Sequence, residues 1–139
     1  MLNIDWVREP YKSYLRKYVE RLIGLGNVKA VLLFGSLAED RMKPFPESDI
    51  DLLIIAENLP ENPVDRRLRN LPLKNGNTIF EDVWLTPKEL EDAVKGGWGV
   101  VLDALTFGVK LYDPENIVEE AKKQIEKYYT RIGRIWKRK

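Results

Sequence analysis

The chain has neither cysteine nor histidine in its 139 residues. Those absences exclude disulfides, thiolate nucleophiles, Ser-His-Asp triads and zinc sites built on nitrogen and sulfur. Any chemistry must come from carboxylates, hydroxyls, Lys, Arg and Tyr, helped at most by a hard, oxygen-loving cation. Serine is scarce, with three residues in all. No apolar run approaches the roughly 20 residues of a bilayer span, and "MLNIDWVREP" lacks a signal-peptide pattern. A cytoplasmic location with no membrane contact is the expectation. The net charge of +1 creates no global field that would favour nucleic acid.

What is present is a globular composition, 44% apolar and 32% charged, at a length that suits one domain over residues 1–139. Tyr11, Tyr14, Leu15, Tyr18, Val19, Leu22 and Leu25 make an apolar stripe at helical spacing. With Asp5 as its cap and Gly24 and Gly26 as its stop, this predicts a helix over about 5–25. "KAVLLF" and "DIDLLIIA" read as buried strands, and "NTIFEDVWL" as a third. "TPKELEDAVKGG" opens with Thr86, Pro87 and Glu89 in capping-box order. "WGVVLDALTFG" reads as a buried helix and "VKLYD" as a short strand. The stripe Ile117, Ala121, Ile125, Tyr128, Ile132, Trp136 predicts a final helix over about 114–137. The fold class is therefore α/β (α+β): a small mixed sheet with helices on one face and a core over 28–112.

The strand "DIDLLIIA" carries the chemistry. Alternation puts Asp49, Asp51, Leu53 and Ile55 on one face and Ile50, Leu52 and Ile54 on the other. Two carboxylates about 7 Å apart at Cα can reach one small ion. With no His or Cys to hand, Mg²⁺ or Mn²⁺ fits them: both take oxygen ligands and are often bound through carboxylates and substrate phosphates. Gly35-Ser36, separated from Asp49 by twelve residues, sits where a strand turns into a short helix. Glycine allows close backbone approach, and the hydroxyl with neighbouring N–H groups can cradle an anion. Cradle and cation site together suggest a nucleotide-polyphosphate site.

"FGSLA" followed by "SDIDLLI" resembles the signature of the DNA polymerase β nucleotidyltransferase superfamily, and the chain length is similar to its minimal members. The likeness runs over about 28–112. It implies a nucleotidyltransferase fold in which Gly35 and Ser36 contact phosphate, Asp49 and Asp51 bind divalent metal, and a third acid completes the site. Glu81 is the choice for that acid, because it lies five residues before Thr86 where similar sequences place theirs; Asp82 is the alternative. Many members continue Gly-Ser with Arg-Gly, where this chain has Glu39 and Asp40. Arg41 and Lys43 are the cations expected to compensate at the nucleotide.

The implied activity is transfer of a nucleoside monophosphate from an NTP, ATP first among them, to a hydroxyl. Minimal members resemble antitoxins paired with a helical toxin, and some attach AMP to a partner's tyrosine, so the resemblance implies a protein hydroxyl among the expected acceptors. Two other readings stand beside it: a catalytically degenerate binding module that neutralises such a partner, and a nucleic-acid binder using "RIGRIWKRK", with five basic residues around Trp136. A homodimer is a further expectation about partners.

Overall fold

The computed structural model describes residues 2–139. Four strands, β1 (Val28–Phe34), β2 (Ile50–Ala56), β3 (Phe80–Leu85) and β4 (Val109–Tyr112), form a mixed sheet in the order β3-β2-β1-β4. β1 runs antiparallel to both β2 and β4, while β2 and β3 are parallel. Helix α1 (Tyr11–Gly24) precedes β1, and the single turn α2 (Gly35–Ala38) follows it. Helix α3 (Pro63–Asn70) and a 3₁₀ turn (Leu71–Lys74) connect β2 to β3; α4 (Pro87–Gly96) and α5 (Gly99–Phe107) connect β3 to β4. The chain ends with α6 (Ile117–Tyr128) and a hairpin of β5 (Tyr129–Ile132) and β6 (Ile135–Arg138). Among the described residues, no helix is long and apolar enough to cross a membrane.

The mixed sheet is as expected, but helices cover both of its faces. Val31, Leu33, Ile50, Leu52 and Ile54 pack with Leu15, Tyr18 and Leu22 of α1. Ala30, Leu32, Leu53 and Ile55 pack with Leu90, Val101, Leu105 and Ile125 of α4, α5 and α6. The aspartate face of β2 is thus apolar beyond its first residues, and Leu53 and Ile55 need cover as much as their neighbours do. Strands buried on both sides read as unbroken apolar runs, as these do.

Two helix boundaries also differ from expectation. Helix α1 begins at Tyr11 rather than near Asp5, and the stretch before it buries Ile4 and Val7 without being helical. The final helix stops at Tyr128 instead of running to about 137. Tyr129 leaves the helix so that its hydroxyl can donate to the Val94 carbonyl at 2.7 Å. Gly133, at φ +61°, then makes the reversal that pairs Ile132 with Ile135. A glycine opening a two-residue turn favours a hairpin over another helical turn. The expected start of α4 is present in full: the Thr86 hydroxyl accepts from the Glu89 N–H and the Glu89 carboxylate from the Thr86 N–H.

The exposed edge of β3 is closed by cations rather than by another strand. Arg66 donates to the Trp84 carbonyl at 2.9 Å and Lys74 to that of Phe80 at 3.4 Å. Arg66 is itself buried and held by both oxygens of Glu89 at 2.7 and 3.0 Å. An edge whose carbonyls are occupied by charged side chains offers little to a passing strand. Elsewhere close packing leaves no room for a side chain. A methyl group at Gly108, where α5 hands over to β4, would collide with the Ala104 carbonyl and stand 2.8 Å from that of Leu33. Both neighbours are backbone and cannot swing away. Gly108→Ala should therefore lower unfolding free energy by about 1–3 kcal/mol in urea denaturation. An unchanged midpoint would mean that α5 shifts freely against β1.

Candidate active site

β1 delivers the chain to Gly35, whose φ of +75° turns it into α2. That glycine has a second role. A Cβ there would overlap Oδ2 of Asp51, so the absent side chain is the space that the carboxylate occupies. Asp51 pairs in register with Phe34 of β1 on one side and with Glu81 of β3 on the other. Residues matched across a parallel pair point to the same face, so Asp51 and Glu81 stand side by side, about 4.8 Å apart at the backbone. Asp49 lies just ahead of β2 and is exposed.

None of the three acids has a hydrogen bond or ion pair within the protein among the described residues. Burial, followed by the charges of Asp49 and Glu81, pushes Asp51 up to about 6, with no cation acting against them. Their oxygens do not converge: among the described residues no three acids are gathered tightly enough to hold one ion. Like charges without a counter-ion repel, so adjacency of backbone does not bring the carboxylates together. The donor chemistry nevertheless suits a hard divalent ion such as Mg²⁺ or Mn²⁺, because it offers carboxylate oxygens with no counter-charge around a half-buried member.

The alternative acid, Asp82, lies on the other face. It pairs with Leu52, is buried, accepts from the Tyr18 hydroxyl and faces Lys74 at 3.4 Å. Burial pushes its carboxyl up while Tyr18 and Lys74 pull the other way. It anchors α1 and the 3₁₀ turn to β3, whereas Glu81 is exposed beside Asp51.

The remaining expected residues divide. Ser36 is half-buried at the start of α2, and its hydroxyl has no bond among the described residues. A single turn contributes little dipole, so any anion contact there rests on the hydroxyl and nearby N–H groups. Arg41 is exposed and points to Glu39 at 3.5 Å. Lys43 is exposed; its backbone N–H donates to the Ser48 hydroxyl at 2.6 Å, and its carbonyl accepts from Tyr11 at 3.1 Å. Neither cation is brought against Asp51. The feared charge of Glu39 is instead taken by Arg134 from the turn of the C-terminal hairpin, bidentate at 2.8 and 3.0 Å, and that guanidinium holds Glu39 below the usual carboxylate range. The sequence reading missed both Arg134 and the brace that Tyr11 and Ser48 provide to the loop before Asp49. The Ile-Gly-Arg-Ile pattern was the one available signal for the hairpin.

The raised pKa of Asp51 fixes the direction of a pH effect. The native state holds this proton more tightly than the unfolded chain does. Stability is therefore lost as pH rises from the ordinary carboxylate range through about 6, and the full cost applies above it. Asp51→Asn in chelator should stabilise the protein near pH 8 by on the order of 1 kcal/mol, since water screens part of the cost, and do nothing near pH 4. Equal melting of both proteins near pH 8 would mean that Asp51 is fully solvated.

The nucleotidyltransferase domain model matches residues 12–131. No protein of curated function matches significantly. Among solved structures, a toxin–antitoxin structure with AMP-PNP is similar at TM-score 0.53 and 18% identity, covering 79% of this chain and 83% of that one. A candidate nucleotidyltransferase from Sulfolobus solfataricus reaches TM-score 0.50 at 20% identity, over 76% of this chain and 87% of the other. A chain from the complex of tri-AMPylated Shewanella oneidensis HEPN toxin with MNT antitoxin gives TM-score 0.50 and 19% identity, over 82% and 85%. At such identities the likeness is one of fold. Because the domain model spans most of its sequence, the chain belongs to the nucleotidyltransferase domain family.

Proposed function

We propose that this protein moves a nucleoside monophosphate from an NTP to a hydroxyl acceptor and releases pyrophosphate. The observation that carries the reading is the register pair Asp51–Glu81 beside Gly35, with Asp49 two residues away and no cation among them. Acids on neighbouring backbone positions at the end of a sheet, at a cost to Asp51, ask for a cationic ligand. Asp49, Asp51 and Glu81 would hold Mg²⁺ or Mn²⁺, which when bound supplies charge neutralisation for the phosphates. Ser36, its hydroxyl free, donates to a phosphate oxygen. Glu81, exposed beside Asp51, takes the proton of the attacking hydroxyl as that oxygen bonds to the α-phosphorus. The bond from α-phosphorus to the bridging oxygen breaks, and the electron pair leaves with pyrophosphate.

ATP is the first nucleotide to try, and a protein side chain is the first acceptor class. Structures of similar fold that contain AMP-PNP or an AMPylated toxin support both choices. A second reading, a binding module that neutralises a helical partner without turnover, is favoured by the open arrangement of the acids. The nucleic-acid reading loses support because Arg131, Arg134 and Arg138 lie against Phe107 or Tyr129 within the protein.

The test is pyrophosphate release from ATP with Mg²⁺ or Mn²⁺ and small hydroxyl acceptors. Glu81→Gln should lose most of the rate and keep the melting temperature, whereas Asp82→Asn should mainly cost stability. Ser36→Ala should weaken nucleotide binding by about 1–3 kcal/mol, the range for a hydrogen bond to a charged group. Metal should raise the melting temperature of the wild type but not of the Asp49→Asn, Asp51→Asn double variant. Full activity in Glu81→Gln would remove it from the site. A metal-bound protein with no turnover on any acceptor would leave the binding module.

A further inference from the structure

Helix α3 is inside out. Its inward residues are polar: Arg66 and Asn70 are each 4% exposed. Its outward stripe is apolar, with Val64 at 60%, Leu68 at 60% and Leu71, in the turn that follows, at 52% exposed. These three stand at i, i+4 and i+7, the spacing that a helix normally turns toward a core. The cause lies on the inner side. Arg66 must face inward to meet the Trp84 carbonyl and the Glu89 carboxylate, and Asn70 donates back to the Arg66 carbonyl at 2.8 Å. Sealing the β3 edge thereby aims the apolar side at solvent. Two apolar residues on an eight-residue helix and a third in the turn that follows form a ridge, not scattered surface residues.

We infer that this ridge docks an amphipathic helix of another protein. At about 100° per residue, Arg67 flanks the stripe by about 60° on one side and Asp65 by about 90° on the other. Arg67 has no hydrogen bond or ion pair among the described residues. It lines, with Pro63, Val83, Trp98, the buried Asp82 and the Arg66–Glu89 pair, a groove of about 250 Å³ beside the ridge, and the Trp98 side chain is exposed there. The fitting partner has an apolar stripe with acids on the flank that meets Arg67. A second copy paired antiparallel about a twofold near Leu68 fits poorly, because it sets Arg67 against Arg67 and Asp65 against Asp65. A lipid surface of negative charge would meet Asp65 as well as Arg67.

The groove beside the ridge reaches toward the candidate site. Val83 of the groove shares a strand face with Glu81 two residues before it, roughly 7 Å away. A helix seated on α3 thus lies alongside β3 with one end near Asp51 and Glu81, where a hydroxyl acceptor would have to be. That the docked partner is also the acceptor rests on the nucleotidyl transfer proposed above; the docking itself does not.

A fluorescein-labelled helical peptide with leucines at i, i+4 and i+7, glutamates along one flank and a terminal tyrosine supplies the probe, with a lysine-flanked isomer as control. Anisotropy should show saturable binding of the acidic peptide, at least tenfold tighter than the basic one. Leu68→Lys should abolish it, and Arg67→Glu should reverse the preference. Both variants should keep the wild-type melting temperature and pyrophosphate release with small acceptors, so loss of docking is separable from loss of the site. Docking without nucleotide transfer to the tyrosine would count against the acceptor role and leave the ridge standing. Equal binding of both peptides, or of neither, would overturn the proposal. So would a wild-type dimer in sedimentation that Leu68→Lys splits, or ridge-dependent binding to vesicles of equal parts phosphatidylcholine and phosphatidylglycerol.

Discussion

The parallel register of β2 and β3 is the constraint on which the rest of this structure depends. It sets Asp51 beside Glu81 and, one residue on, Leu52 beside Asp82. Because side chains alternate, a single shift of that register would exchange the two acids: Asp82 would join Asp51, and Glu81 would enter the apolar side under α1. The alternation also decides what each acid costs. Asp82 is covered and needs Tyr18 and Lys74; Glu81 is exposed and needs nothing until a ligand arrives. The fold thus uses one adjacent pair of acids for two purposes, one structural and one poised.

Holding that register requires the β3 edge to be secured, and the means of doing so determine the outer surface. Lys74 and Arg66 take the carbonyls of Phe80 and Trp84, so the 3₁₀ turn and α3 are pinned along the strand. A buried guanidinium is expensive unless fully paired, and Arg66 is bidentate on Glu89, which is in turn the capping residue of α4. One carboxylate therefore joins the edge seal to the helix that covers Leu53 and Ile55. Substituting Glu89 would loosen both at once, whereas an exposed ion pair such as Lys88–Asp92 contributes little.

Much of this was legible in the sequence, for reasons that differ by element. β1 and β2 announced themselves as apolar runs, and the Thr86–Glu89 capping box fixed the start of α4 from local chemistry alone. Gly35, Ser36, Asp49 and Asp51 stood out because polar residues and a glycine interrupt strands that are otherwise apolar. Glu81 was preferred to Asp82 for its place five residues before Thr86, and the register sets Glu81 beside Asp51 and Asp82 beside Leu52. What could not be read required distant partners. The end of α6 depends on Tyr129 finding the Val94 carbonyl, thirty-five residues away in sequence. The polarity of α3 depends on Arg66 finding Trp84 and Glu89. A stripe at helical spacing says that a face is apolar, not that the face points inward.

The loop between α2 and β2 joins these strands of argument. Glu39 and Asp40 placed two negative charges next to a site already rich in acid, which by local charge alone argues against binding a polyphosphate. Arg134 changes that balance from the far end of the chain by pairing with Glu39 while lying 3.9 Å above the Phe107 ring. The hairpin that makes this reach exists because Gly133 turns the chain where a continuing helix would have carried residue 134 away. Asp40 is left exposed at φ +53°, a conformation that a short acidic side chain tolerates. The acidity left around the candidate site lies on Asp40 and on Asp49, Asp51 and Glu81, the last three being the residues that a cation would neutralise. A loop that looks hostile to phosphate in one dimension has, once folded, one of its two adjacent acids, Glu39, turned to the carboxyl-terminal hairpin.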